Sequence, residues 1–207
     1  MKLYAHPFSS YSQKVLIALY ENATPFEYRN LEEPAANAEL AALWPLKRFP
    51  VLLDDGRCIL ESSTIVAHLQ AHHPGPVCLI PPGDAGLEVH MLDRVFDNYV
   101  MTPMQKVVLD ALRPVADRDR YGVVEARELL DQRLAGRHWI VGAGFTLADC
   151  AAAPSLFYAD WAHEIPAGYG RLRAYRARLL NHPSIVRVVE EARPFRHYFP
   201  LGALARD

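Results

Sequence analysis

The apolar positions of this chain repeat with two different periods, and the change from one to the other divides it. Lys2-Leu3-Tyr4-Ala5 reads as a short strand. From Ser12 to Tyr20, Val15, Leu16, Ala18 and Leu19 form an apolar stripe at helical spacing. Phe26 to Leu31 alternates and reads as a second strand. Ala35 to Leu43 is alanine-rich and predicted helical. Val51-Leu52-Leu53 is a third strand, and Arg57 to Leu60 its returning partner. Between them Asp54-Asp55-Gly56 makes a tight turn, with glycine at a position that needs φ > 0. Ile65, Val66 and Leu69 then line one face of a helix that follows Ser62.

The predicted order is β-α-β-α-β-β-α. A β-α-β start implies a parallel pair, and the closing hairpin adds antiparallel strands. That is a thioredoxin-like α/β topology. His73-Pro74-Gly75-Pro76 breaks it off, and Pro81-Pro82-Gly83-Asp84 breaks the chain again. Beyond these breaks the period-two pattern vanishes. Leu87 to Leu112 is helical in pattern, with Pro103 as a kink or break. Val124 to Leu134, Leu147 to Trp161, Arg171 to Leu180 and Pro183 to Ala192 are further helices. Leu147 to Trp161 is apolar on every side, the mark of a buried helix. The chain therefore reads as an α/β domain over residues 1–76 followed by an all-α domain of about five helices over residues 85–207.

Composition narrows the function. Of 207 residues, 51% are apolar, enough for a sizeable core. Basic and acidic residues number 22 and 24, which gives no reason to expect a nucleic-acid or anionic-membrane partner. No apolar run reaches membrane-spanning length, and the N-terminus lacks the long apolar stretch of a signal peptide. The three cysteines, Cys58, Cys78 and Cys150, form no CxxC pair, which fits a reducing, cytoplasmic setting. Nine histidines include His68 and His72 at i, i+4, a spacing that zinc sites use. No third ligand is evident in sequence, so no metal is expected.

Three sites in the first 65 residues carry the chemistry: Ser9-Ser10 before a helix, Phe49-Pro50-Val51 opening a strand, and Glu61-Ser62 opening another helix. Helix N-termini offer unpaired N–H groups and partial positive charge. Two of them, at Ser10 and Ser62, would hold two anionic groups of one ligand. A strand entered by proline leaves backbone groups free to pair with a peptide. In this order the three describe a pocket for a small, peptide-like, anionic thiol.

These residues resemble the cytosolic glutathione S-transferase family over essentially the whole chain. The resemblance rests on HPFSSYSQKVLIAL, on FPVLLDDGRCILESSTIVAHL and on FTLADCAAAP. It implies the glutathione S-transferase fold, with glutathione as co-substrate. In that family a cis-proline after the position of Phe49 lets the backbone pair with the cysteinyl part of glutathione. The Glu61-Ser62 pair would bind the γ-glutamyl end, and Lys47 or Arg48 would meet the glycine carboxylate. FTLAD matches a helix-capping motif, a box from Thr146 to Asp149.

Serine-type members place a hydroxyl beside the glutathione sulfur. A free thiol has a pKa of about 8.5, and the thiolate is the nucleophile. A hydroxyl donating to sulfur at the positive end of a helix favours the charged form. Counting back from Lys14-Val15 selects Ser9, in a bacterial or zeta-like pattern; the spacing of other serine-type classes would select Ser10. Tyr4 lies inside the strand and reads as core or interface. Tyrosine-type members use a tyrosine near the end of that strand, and cysteine-type relatives carry cysteine at the position of Ser9. Phe8, Tyr11, Tyr99, Met101 and Met104 are expected to form the apolar wall that faces the sulfur. Cys150 is expected to be inert packing.

The resemblance implies thiolate transfer to an electrophilic, mostly apolar small molecule, by a homodimer. Isomerisation through a reversible glutathione adduct, as in maleylacetoacetate isomerases, is a second possibility, although Tyr11 stands where the zeta pattern has cysteine. Peroxide reduction and a non-catalytic binding or scaffold role are the others.

Overall fold

A computed structural model describes residues 1–111, 127–202, 204 and 207. Four strands, β1 (Lys2–Ala5), β2 (Glu27–Asn30), β3 (Val51–Asp54) and β4 (Arg57–Ile59), form one sheet in the order β2-β1-β3-β4. β1 runs parallel to β2 and antiparallel to β3, with Tyr4 opposite both Arg29 and Val51. β3 and β4 close the expected hairpin, Asp54 opposite Arg57. Asp55 and Gly56 both take positive φ (46° and 76°), the pair of values that a two-residue type I′ turn requires.

Strand alternation sorts the two faces of the sheet. Leu3, Ala5 and Leu52 point into the main core, against α1 (Ser10–Glu21) and α3 (Ser62–His72). Tyr4 and Val51 point the other way, into a small cluster with Ala36 and Leu40 of α2 (Pro34–Leu43). Tyr4 is core, as expected: it is 3% exposed and its hydroxyl donates to Glu39 at 2.9 Å.

The α/β unit is joined to the helices beyond it by a tightly held linker. The Asn22 side chain donates to the Val77 carbonyl (3.0 Å) and accepts the Val77 N–H (2.8 Å). A Cβ on Gly75 would lie 2.4 Å from that same asparagine, so the linker can run there only as glycine. Beyond it come α4 (Asp84–Val95), a wider π-helical turn (Phe96–Met101) and α5 (Thr102–Asp110) as one continuous rod. The expected break at Pro103 is thus a change of helix width. Proline supplies no N–H, and the hydroxyl of Thr102 donates to the Asp97 carbonyl at 2.9 Å.

Next are α6 (Arg127–Arg133), α7 (Leu147–Ala162), α8 (Gly170–Leu180), α9 (Pro183–Ala192) and a 3-10 segment (Arg193–Tyr198). Leu112 and residues 124–126 of the expected helices lie outside the described residues. Six α-helices come after the linker among the described residues, against an expected five, because the Leu87–Leu112 pattern resolves into two. Every residue of α7 from Leu147 to Trp161 is buried. Its N-terminus carries the capping box. The Thr146 N–H and hydroxyl both donate to Asp149 Oδ2, at 2.8 and 2.9 Å. Asp149 Oδ1 receives the Ile140 N–H and the Tyr175 hydroxyl. Cys150 beside it is fully buried, and burial pushes its thiol well above the ordinary value. No described helix is long and apolar enough to cross a membrane.

Candidate active site

Between β1 and α1 the chain makes a short loop, His6-Pro7-Phe8-Ser9, whose backbone is fixed from several sides. Gln13, buried in α1, donates from Nε2 to the Pro7 carbonyl (2.9 Å) and to the Tyr158 hydroxyl (2.9 Å). Tyr158, on α7, donates in turn to the Phe8 carbonyl at 3.0 Å. Burial raises the Tyr158 hydroxyl far above its ordinary pKa, so it keeps its proton for that bond. On the opposite side His6 Nδ1 accepts the Phe8 N–H (3.0 Å), which leaves the ring proton on Nε2, 2.6 Å from Glu32. Neither Gln13 nor Tyr158 stands out in the sequence; their partners lie across the fold and no local pattern marks them.

Ser9 is the N-cap of α1. Its backbone is extended (φ −89°, ψ 124°), and its Oγ accepts the Ser12 N–H at 3.3 Å. Among the described residues no acceptor takes the Ser9 hydroxyl proton. Ser12, fully buried, accepts the His6 N–H and caps the loop from inside. Ser10 is the first helical residue and nearly buried.

Phe49 and Pro50 are joined by a cis peptide bond. Pro50 is buried and Phe49 is 40% exposed. Among the described residues neither the N–H nor the carbonyl of Phe49 has a hydrogen-bond partner. Glu61 is the N-cap residue of α3, at φ 65° and ψ 122°, with no side-chain cap. A non-glycine residue held there costs about 1–3 kcal/mol. Its carbonyl accepts the Ile65 N–H, but no described acceptor meets the N–H groups of Ser62, Ser63 and Thr64. Ser62 is 6% exposed; Lys47 and Arg48 project into solvent.

Ser9, Ser10 and Phe49 open onto one cleft of about 560 Å³. Phe8, Met104, Val108 and Leu109 make its apolar side, and Tyr158 and Phe199 its floor. His6, Glu32 and Tyr198 form a polar corner, where Tyr198 donates to Glu32 at 3.2 Å. The apolar wall differs from expectation at three positions. Met101 is 1% exposed and lies in the core, and Tyr99 is 55% exposed on the outer side of the rod. Tyr11 turns toward α4, its ring 5.7 Å from Lys14 Nζ, and burial and Asp97 push its hydroxyl up to about 12.

Lys14 itself is the largest departure from a sequence-based reading. It is 1% exposed, with Nζ 2.8 Å from Asp93 and 2.6 Å from Asp97 on the long rod, and 3.4 Å from Ser63 on α3. Arg94 pairs with both aspartates and reaches Ser63 as well. Burial works to raise the Asp93 carboxyl, but Lys14 and the hydrogen bonds around it bring it below the usual range. Burial wins at Asp97, which stays raised despite Lys14. This cluster binds α1 and α3 to the helical half.

A thioredoxin-like sheet domain, a helical domain after it, and a cis-proline between two helix N-termini together define a glutathione-binding architecture. The chain matches the model of the glutathione S-transferase N-terminal domain over residues 3–77 and that of the C-terminal domain over residues 113–178. It belongs to the glutathione S-transferase family. Among curated proteins it is 25% identical to a stringent starvation protein A homolog of Coxiella burnetii, over 76% of this chain and 75% of that one. Among solved structures, a glutathione S-transferase from Methylobacillus flagellatus with glutathione bound is 26% identical, with a TM-score of 0.78 over 90% of this chain and 98% of that one. A bacterial maleylpyruvate isomerase of the zeta class is 25% identical, with a TM-score of 0.72 over 91% and 96%.

Proposed function

We propose that this protein is a serine-type glutathione transferase, working as a homodimer in the cytoplasm, that activates glutathione for attack on a neutral, mostly apolar electrophile. The observation that carries this reading is the uncapped N-terminus of α3, where Glu61 is held at φ 65° beside three N–H groups without a described acceptor. That end suits the γ-glutamyl group: the N–H groups and Ser62 take its carboxylate, and Glu61 takes its ammonium. Phe49 pairs its backbone with the cysteinyl unit, and Lys47 is the candidate for the glycine carboxylate. The sulfur then lies toward Ser9 and Ser10.

Ser9 is the better partner of the two. It already accepts one N–H, which polarises its O–H as a donor, and that proton is not committed elsewhere among the described residues. Donation to sulfur would stabilise the thiolate; each pKa unit is about 1.4 kcal/mol. No lysine or arginine is among the described lining residues of the cleft, and Glu32 adds negative charge. That lining favours a neutral electrophile over the dicarboxylate of a maleylacetoacetate-type isomerisation. An intact set of Ser9, Phe49, Glu61 and Ser62 speaks against a purely scaffolding role.

The test is an ultraviolet pH titration of glutathione bound to the wild type and to Ser9→Ala and Ser10→Ala. The expected result is a thiol pKa at least one unit below about 8.5 in the wild type, lost in Ser9→Ala alone. An unshifted thiol in the wild type would overturn the catalytic reading, and loss in Ser10→Ala alone would reassign the serine.

A further inference from the structure

At the far end of α3 from Ser62, three side chains converge that no part of the glutathione site uses. Asp54, the last residue of β3, is buried. His68 lies on α3, and His73 is its C-cap residue. His68 Nε2 is 2.9 Å from Asp54 Oδ2, and His73 Nε2 is 2.6 Å from the same oxygen. His72 lies beside His68, ring centroids 4.4 Å apart and the planes tilted by 39°, but it is exposed to solvent. The histidine pair that sequence spacing suggests, His68 and His72, is thus not the pair the fold assembles. The third ligand comes from a strand.

We infer that Asp54, His68 and His73 form a binding site for a divalent transition-metal ion, zinc(II) being the one their donor set suits best. Two neutral imidazoles and a carboxylate are the nitrogen and oxygen donors of three-ligand zinc sites, which keep a fourth position for water. All three donor atoms lie within 4.8 Å of one another. Zinc bonds of about 2.0–2.2 Å put tetrahedral ligands roughly 3.3 Å apart. The two spacings here would therefore open by only about half an ångström around the ion. Two rings aimed at a single carboxylate oxygen is the geometry of a coordination point; two separate hydrogen bonds would more naturally use both oxygens. Coordination needs the Nε2 lone pair of each ring, with the ring proton on Nδ1, and the carboxylate offsets half of the ion's charge. The C-terminal end of a helix adds partial negative charge, which favours a cation. Along α3, His68 and His73 stand about 9 and 16 Å from Ser62, so the ion would be structural or regulatory and would take no direct part in glutathione chemistry.

The experiment uses tag-free, chelator-treated full-length protein without glutathione, titrated with zinc(II) in a calorimeter and with cobalt(II) in a spectrometer. The expected result is one zinc per chain and visible cobalt d–d bands of a tetrahedral site without a thiolate charge-transfer band. His68→Ala and His73→Ala should each weaken zinc binding by about tenfold or more, with folding verified by circular dichroism. His72→Ala should change it by less than about threefold. Three results would overturn the assignment. One is no saturable binding. Another is a thiolate band, which would place the metal on Cys58 or Cys78. The third is a loss in His72→Ala as large as that in His73→Ala.

Discussion

On the function proposed above, the N-termini of α1 and α3 serve the same ligand, yet the fold caps them differently. At α1 the protein supplies the partners: Ser9 caps the Ser12 N–H, Ser12 caps the loop, and Gln13 and Tyr158 hold two loop carbonyls. The Ser9 hydroxyl proton remains, with the N–H groups of Ser10 and Tyr11, which no described acceptor meets. At α3 the partners are withheld, and Glu61 is kept in an unfavourable backbone conformation beside open N–H groups. A side-chain-capped terminus with a spare hydroxyl donor suits a group that must be placed accurately, such as sulfur. An open terminus suits an anion that brings its own charge. The N-terminus of α7 is the limiting case, for its capping box is complete and the Leu147 N–H donates to the Leu79 carbonyl.

Breaking the limiting case gives the largest effect. Asp149→Ala leaves buried donors from Thr146, Ile140 and Tyr175 without an acceptor, and should destabilise the protein by about 3 kcal/mol or more in urea unfolding. Glutathione affinity per folded molecule should not change. Next comes the side-chain-capped terminus of α1: Ser9→Ala should lower kcat/KM by about a hundredfold, close to 2.7 kcal/mol, while glutathione binding falls far less. A large loss of affinity instead would mean that Ser9 shapes the pocket and does not act on sulfur. At the open terminus, Ser62→Ala should weaken glutathione binding by about tenfold, or 1.4 kcal/mol, in equilibrium titration, with little change in the pKa of whatever thiol still binds.

The smallest effect concerns the cluster that holds both helices. Asp93, held low, contributes stability above about pH 4 that is lost as the pH falls below the unfolded value. Asp97, pushed up by burial, acts with the opposite sign: its share is complete below about pH 4 and is lost as the pH rises through its folded value. Asp97→Asn should therefore remove a decline in stability on the way to neutral pH, and unfolding curves at a series of pH values would show the profile rise and then flatten. A variant that declines as the wild type does would show that Asp97 is not the raised carboxyl.

Local patterns carried the strands, the hairpin turn and the capping box, because each is decided by neighbours in sequence. Asp54-Asp55-Gly56 reads as a turn from its residue types alone, and Thr146 to Asp149 as a cap from its spacing. The serines, Phe49-Pro50 and Glu61-Ser62 were legible as a set only through their order. Lys14 was not legible as a buried cation, since nothing near it in sequence announces Asp93 and Asp97, which approach only when the helices pack. The same holds for Tyr158 against the Phe8 carbonyl, 150 positions away, and for Asp54 against His68 and His73. Tyr11, Tyr99 and Met101 were misplaced because residue type says apolar without saying which way a helix face turns.

The wide turn from Phe96 to Met101 makes that direction adjustable. A π-turn accommodates one residue more than an α-helical turn, and each residue rotates the downstream part of the helix by about 100°. Losing a single residue there would swing Met104 and Val108 off the cleft and bring other side chains of α5 to face the sulfur. In this lineage a one-codon deletion or insertion, rather than a series of substitutions, would be the shortest route to a different range of electrophiles.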